Sequence, residues 1–139
     1  MQDDIDVKVF KNELMNYNYY QYQCNKLKED IDYNYGLLPG NVRGLNPSKI
    51  PIHGGVPNLD NIYAIRDTIT LLEAKLRRYN DKMVEVEQIL EKIETPLKSA
   101  IMDKYIIGYT LEKVSKDYGY SSAGLLKKMN RAIKKALED

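Results

Sequence analysis

The sequence has 139 residues, 43% of them hydrophobic and 29% charged, with a formal net charge of +1. This length corresponds to one ordinary domain, and no run approaches the ~18 apolar residues of a membrane-spanning helix. The acidic start MQDDIDVKVF also lacks the basic and apolar regions of a signal peptide, so we expect neither secretion nor a membrane partner.

Cysteine and histidine are nearly absent. Cys24 is the single cysteine, which rules out an intramolecular disulfide, and His53 is the single histidine. One chain therefore offers too few of the usual ligands for a zinc site. We expect a reducing, cytoplasmic setting and neither a metal nor a cofactor.

Charge is distributed unevenly along the chain. Residues 1–94 carry 12 basic and 15 acidic side chains, whereas residues 95–139 carry 9 basic and 5 acidic ones. The positive balance of the C-terminal part suggests contact with a polyanion, although a solvated basic face gives the same composition.

The first predicted element is a helix over residues 9–35, which Gly36 and Pro39 should end. Half of the twelve tyrosines lie between Tyr17 and Tyr35. Tyrosine rings are able to stack on nucleic-acid bases, but tyrosines at helical spacing more often pack in a protein core, and we favour that interpretation. Apolar residues recur at spacings of three and four, as on a buried helical stripe, at Phe10, Leu14, Tyr17, Tyr20, Cys24, Leu27 and Ile31.

Residues 36–58 are predicted to form a loop, because they hold four of the five prolines and five of the eight glycines. Each proline lacks a backbone donor and disfavours helix in the residue before it. A loop of this length is either functional or mobile. His53, next to Gly54 and Gly55, is interpreted as a surface residue.

Residues 59–94 contain no glycine or proline and predict a long helix of about 50 Å with a heptad seam. The predicted first helix could fold back antiparallel and cover part of this seam. A second copy of the chain could cover the rest. Lys82 and Glu87 are placed for an interchain ion pair in a parallel homodimer or higher homo-oligomer. The predicted oligomerisation residues are Ile62, Ile65, Ile69, Leu72, Leu76, Tyr79, Met83, Val86, Leu90 and Ile93.

Three helices are predicted after residue 94. Thr95 is expected to be the N-cap of the first, with Pro96 at its first position and Gly108 beyond its end. Its apolar face comprises Leu97, Ala100, Ile101 and Tyr105. Thr110 is expected to cap a second, short helix, and Gly119 to supply the following turn. Its inward-pointing residues are Leu111, Val114 and Tyr118.

The last helix, capped by Ser121 and running from residue 122 to about residue 137, divides by face. One side carries Leu125, Leu126, Met129, Ala132, Ile133, Ala136 and Leu137, and the other Lys127, Lys128, Asn130, Arg131, Lys134 and Lys135. A helix-turn-helix presents such a basic face to the major groove. A basic amphipathic helix that closes a bundle is the alternative, and the ordered caps and turns favour DNA binding. Gly124 weakens a helix by up to ~1 kcal/mol relative to Ala, and close approach to a phosphate would explain it.

A family resemblance appears at these residues. The string YIIGYTLEKVSKDYGYSSAGLLKKMNRAIKKAL, within residues 97–137, resembles the region 4 domain of sigma factors. With its tyrosine-rich helix, Pro/Gly loop and long coiled helix, the whole chain resembles the phage late-transcription regulators of the RinA and ArpU type. That resemblance implies sequence-specific binding of double-stranded DNA and activation of phage or prophage genes with host RNA polymerase.

By position, the resemblance places Ser122, Ala123, Lys127 and Arg131 against bases or backbone, and Lys128, Lys134 and Lys135 nearer phosphates. Ser121 completes the predicted DNA-binding set. The small residues Ser122 and Ala123 depart from the long polar residues usual there, which implies sparse direct base reading.

The predicted organisation is all-α, with a helical oligomerisation region over residues 1–94 and a DNA-binding domain over residues 95–139. No Gly-rich phosphate loop, catalytic triad context or spaced metal ligands occur, so we expect no enzyme. The alternative to a DNA-binding regulator is a protein-interaction module, such as a coiled-coil adaptor or polymerase-binding protein that does not read DNA.

Overall fold

The computed structural model describes residues 2–39 and 59–139, and all regular structure in these two stretches is helical. The helices are α1 (Gln2–Met15), α2 (Tyr17–Gly36), α3 (Leu59–Glu91), α4 (Leu97–Ile101), α5 (Leu111–Tyr118) and α6 (Ser122–Glu138). A π-helical segment, π1 (Met102–Ile107), directly continues α4. The predicted all-α class is confirmed for the described residues. The predicted loop lies outside them from residue 40 to residue 58, and so does His53.

The prediction of one helix over residues 9–35 is wrong in two respects. Helicity begins at Gln2, and Asn16 separates α1 from α2. The acidic residues near the start favour helix there, since negative charge is stabilising at a helix N-terminus. Backbone hydrogen bonds still span the break, from the Asn16 amide to the Asn12 carbonyl (3.1 Å) and from the Tyr20 amide to the Asn16 carbonyl (2.9 Å). The predicted end at Gly36 is confirmed.

The described helices group into two compact units, of which the first comprises residues 1–21 and 81–139. Its core is one cluster of buried side chains from every helical element of the unit except α2: Val7, Phe10, Leu14, Val86, Leu90, Ile93, Ala100, Ile101, Tyr105, Val114, Leu125, Met129, Ile133 and Ala136. Residues 95–139 therefore share their core with α1, a contact that the sequence did not suggest. The functional division into residues 1–94 and 95–139 stays a prediction.

The second compact unit contains, among the described residues, 22–39 and 59–80, which include parts of α2 and α3. Its buried hydrophobic side chains are Cys24, Leu27 and Ile31 from α2 and Ile69 from α3. The Tyr35 hydroxyl donates a hydrogen bond to Glu73 Oε1 at 3.3 Å, which joins the two helices. Across both units, the core interpretation of the tyrosines holds for buried Tyr20, whereas Tyr19, Tyr22 and Tyr33 are exposed.

The heptad seam of α3 is covered to a large extent within the single chain. Ile69, Val86, Leu90 and Ile93 are buried, and the remaining seam residues are half-buried: Ile62, Ile65, Leu72, Leu76, Tyr79 and Met83. Without a second copy of the chain, four of the ten seam side chains are therefore removed from water and the other six are partly removed. Self-association through this seam stays a prediction.

Candidate nucleic-acid interface

The last two helices are fixed by three local features that the sequence predicted. Thr110 Oγ1 accepts a hydrogen bond from the Lys113 amide at 3.2 Å and caps α5. Gly119 ends α5 in the left-handed conformation, with φ of 77°. Ser121 Oγ accepts from the Gly124 amide at 3.1 Å and caps α6. Because each N-cap contributes about 1 kcal/mol to helix stability, Thr110 and Ser121 determine where α5 and α6 begin.

The start of α4 differs from the prediction that Thr95 is its N-cap. Pro96 occupies the N-cap position, after a cis Thr95–Pro96 peptide bond, and no side chain caps the helix. Thr95 is therefore wrong as the N-cap, because α4 begins at Leu97, one residue later than predicted. The predicted end at Gly108 is confirmed, and the Gly108 amide donates to the Asp103 carbonyl at 3.1 Å. The Tyr118 hydroxyl donates to Asp103 Oδ2 at 2.9 Å and ties α5 to π1.

The apolar face of α6 packs into the core of the first unit. Leu125, Met129 and Ile133 have no exposed surface, and Ala136 is 2% exposed. Leu126, Ala132 and Leu137 are partly buried against the same cluster. The predicted apolar face is thus confirmed, and its burial fixes which side of α6 points outward.

The outward side of α6 carries the predicted cations. Lys127, Lys128, Arg131, Lys134 and Lys135 are all exposed. At the helix start, Ser121 and Ala123 are exposed and Ser122 is half-buried. The ammonium group of Lys128 also lies 5.0 Å from the centre of the Tyr120 ring, within the range of a cation–π contact. All eight predicted DNA-binding residues thus lie on α6 or its cap, and five of them form one positively charged face.

Gly124 lies next to the cap of α6. A Cβ atom at this position would lie 2.8 Å from Ser121 Oγ, the atom that accepts the Gly124 amide hydrogen bond. A larger residue would therefore require the Ser121 hydroxyl to shift, which is a small movement at the end of a side chain. The equivalent position of α5 holds Lys113, whose amide donates to Thr110 Oγ1, so a cap of this kind does not require a glycine. The approach of a phosphate to Gly124 stays a prediction.

Two lysines of α1 lie beside α6, and the sequence analysis did not assign them to the site. Lys8 and Lys11 line a cleft together with Arg131 and Lys134 of α6. The signal was present in the sequence, since Lys8 and Lys11 flank the apolar stripe that includes Leu14. The position of these two lysines could not be interpreted from the sequence, because the sequence does not show which helix the apolar stripe contacts.

The two charged side chains proposed for an interchain pair have partners within the chain. Lys82 Nζ lies 3.6 Å from Glu13 Oε1, and Glu87 Oε1 accepts a hydrogen bond from the Tyr17 hydroxyl at 2.5 Å. This hydrogen bond to a carboxylate, with a smaller effect of burial, raises the pKa of Tyr17 to about 12. Both groups therefore contribute to packing of α3 against the N-terminal helices in the first unit.

Comparison with known proteins gave no significant match, whether to a protein-family model, a curated protein sequence or a solved structure. Within residues 2–39 and 59–139, no group of three or more His, Cys, Asp or Glu side chains is arranged to hold a metal ion. None of the helices in that part of the chain is both long and apolar enough to cross a membrane.

Proposed function

We propose that the protein is a sequence-specific DNA-binding transcription regulator without enzymatic activity, in which α5, residues 119–121 and α6 act as a helix-turn-helix. The observation that carries this proposal is the exposed basic face of α6, opposite a face that is buried in the core. A recognition helix has this design, because it packs on the domain through one face and enters the major groove with the other.

The cations of α6 divide by position along the helix. Lys127 and Arg131 lie one turn apart near the middle of the outward face and are assigned to base edges, where Arg and Lys read guanine. Lys128, Lys134 and Lys135 are assigned to phosphates, which fix the register of the protein on the duplex. The exposed start of the helix, at Ser121 and Ala123, leaves room for close approach of the DNA backbone.

Substitution of the basic face tests DNA binding. The triple variant Lys127→Gln, Lys128→Gln and Arg131→Gln should bind duplex DNA more weakly than wild type. Loss of the phosphate contact of Lys128 should flatten the slope of log K against log salt by about 0.9. Arg131→Gln alone should also relax sequence preference, at about 1 to 3 kcal/mol for a bidentate base contact. Unchanged binding by the triple variant would exclude this face as the contact surface.

A matched control exists in the second compact unit. Lys26 and Lys28 of α2 and Arg77 of α3 are exposed, and replacing all three by Gln removes the same charge. This variant should bind DNA much as wild type does, because these residues lie outside the unit that contains α6. An equal loss of affinity in both triple variants would indicate a general effect of net charge and would count against the assignment.

We further propose that DNA binding serves transcription of phage or prophage genes, with host RNA polymerase as partner. The sequence resemblance to sigma region 4 supports this step, since that domain lies between DNA and polymerase. The polymerase contact must then use another surface than the basic face. Exposed apolar side chains at the end of π1 and just after it, Ile107 (56% exposed) and Tyr109 (40% exposed), suit this role.

Reconstituted transcription from a promoter that the protein occupies tests this second step. Wild type should raise transcript from that promoter, and Ile107→Glu should abolish the increase while DNA binding survives. Reduced transcript on adding the protein, unaffected by Ile107→Glu, would indicate a repressor that blocks the promoter. Polymerase binding by a protein that does not bind DNA would instead support the interaction-module function.

A further inference from the structure

The cleft between α1 and α6 collects positive charge from two helices that are distant in sequence. Its charged lining comprises four cations, Lys8, Lys11, Arg131 and Lys134, and one carboxylate, Asp4. Val7 and Asn130 line it as well. The two helices are held together by the shared core, in which Val7 and Phe10 of α1 join the buried face of α6. The cluster is thus a fixed feature of the first compact unit.

Lys11 is held in place by packing on an aromatic ring. Its ammonium group lies 5.4 Å from the centre of the Tyr105 ring, and the ammonium group of Lys104 lies 5.2 Å from the same centre. Partial burial and the neighbouring Lys104 both lower the pKa of Lys11. Two cations on one ring repel each other, and a nearby anion would relieve that repulsion.

If α6 lies in the major groove, the position of α1 beside it brings these lysines near one particular anion, a DNA phosphate. A helix in the major groove nearly fills its width of about 12 Å, so the phosphates of both strands lie along its flanks. Helices that pack together have axes about 8–10 Å apart, which brings a neighbour of the groove-bound helix to the edge of the groove. Lys8 and Lys11 lie on such a neighbour, on the flank of α6 that carries Asn130 and Lys134.

We propose that Lys8 and Lys11 of α1 bind the DNA phosphate backbone beside the groove that α6 enters, so that the N-terminal helix is part of the DNA-binding surface. This inference rests on the proposed function and deepens it. The contact is independent of base sequence, because phosphates carry no sequence information directly. Its role is to add affinity and to fix the orientation of α6 in the groove.

The test compares Lys8→Gln/Lys11→Gln in the full chain with wild type, by equilibrium binding to a labelled DNA duplex over a salt series. Two lost phosphate contacts should flatten the plot of log K against log salt by about 1.8, so the affinity ratio of wild type to variant should shrink about sevenfold between about 0.1 M and about 0.3 M salt. Lys26→Gln/Lys28→Gln, which removes the same charge from exposed positions of α2, should leave the slope unchanged.

A charge-retaining variant separates the contact from an effect on folding. Lys8→Arg/Lys11→Arg should keep the wild-type slope, and circular dichroism should show that the Gln variant keeps the wild-type helix content. This inference would be overturned if the folded Gln variant kept the wild-type slope of log K against log salt. If replacing Lys134 and Lys135 flattened that slope in the same series, the proposed function would still stand. Absence of salt-dependent DNA binding by wild type would overturn both.

Discussion

Replacing Leu14 by Ala should unfold the C-terminal helices more easily, although Leu14 lies far from them in sequence. Leu14 has no exposed surface and belongs to the cluster that includes Leu125 and Met129 of α6. Truncating a fully buried Leu to Ala costs about 3 to 5 kcal/mol, through lost transfer free energy and the cavity left behind. That is a large part of the about 5 to 15 kcal/mol that stabilises an ordinary domain.

Urea unfolding and amide hydrogen exchange measure this effect. With a slope near 2 kcal/mol per M, a loss of about 3 to 5 kcal/mol lowers the urea midpoint by roughly 1.5 to 2.5 M. Amide exchange at Met129 and Ile133 should accelerate with it, because α1 and α6 share one core. Ile5→Ala on the same helix is the matched control; Ile5 is 55% exposed, so a change within about 0.5 kcal/mol is expected. Unchanged exchange in α6 of the Leu14→Ala variant would refute the shared core.

Two further substitutions test the cap of α6 and the contact between α2 and α3. Gly124→Ala should yield less than the ~1 kcal/mol expected from helix propensity, because the new Cβ requires the Ser121 hydroxyl to shift. In a Ser121→Ala background the same substitution should be more stabilising, and equal effects in both backgrounds, measured by urea unfolding, would disprove this coupling. Folding favours the protonated Tyr17 hydroxyl, so its contribution is complete below about pH 10 and is lost as pH rises toward 12. Tyr17→Phe should therefore cost at most about 1 kcal/mol at pH 9 and less at pH 11, and a cost that does not fall with pH would contradict the bond to Glu87.

Features set by neighbouring residues were predictable from the sequence. Thr110 and Ser121 cap their helices through amides only three residues away, and Gly119 supplies a left-handed turn that other residues rarely adopt. The two faces of α6 follow from the helical period alone. The outward position of Lys127 and Arg131 could therefore be inferred before the structure.

Features set by distant contacts were not predictable in this way. Phe10 and Leu27 lie on one apolar stripe in the sequence, yet they are buried in different compact units. The period of the stripe indicates that a face is buried and does not identify its partner. For the same reason Lys8 and Lys11 had no assigned role, because nothing local indicates that α1 packs beside α6.

The seam of α3 shows the same limit. Its heptad spacing is typical of a coiled coil, but the structure buries Ile69 and Val86 within one chain. A hydrophobic helix face can be buried equally well against another segment of the same chain or against a second copy of the chain. The choice depends on the geometry of α1 and α2, which the sequence pattern of α3 does not contain.

Fluorescence anisotropy of a labelled duplex, titrated with wild-type protein over a salt series, tests DNA binding most directly. If the three cations of α6 that are assigned to phosphates, Lys128, Lys134 and Lys135, each neutralise one phosphate, log K should fall linearly with log salt with a slope of about −2.7. With Lys8 and Lys11 in addition, the slope should approach about −4.5. Binding at low salt with such a slope is the predicted result. No binding at the lowest salt, or an affinity independent of salt, would contradict the assignment of α6 to DNA.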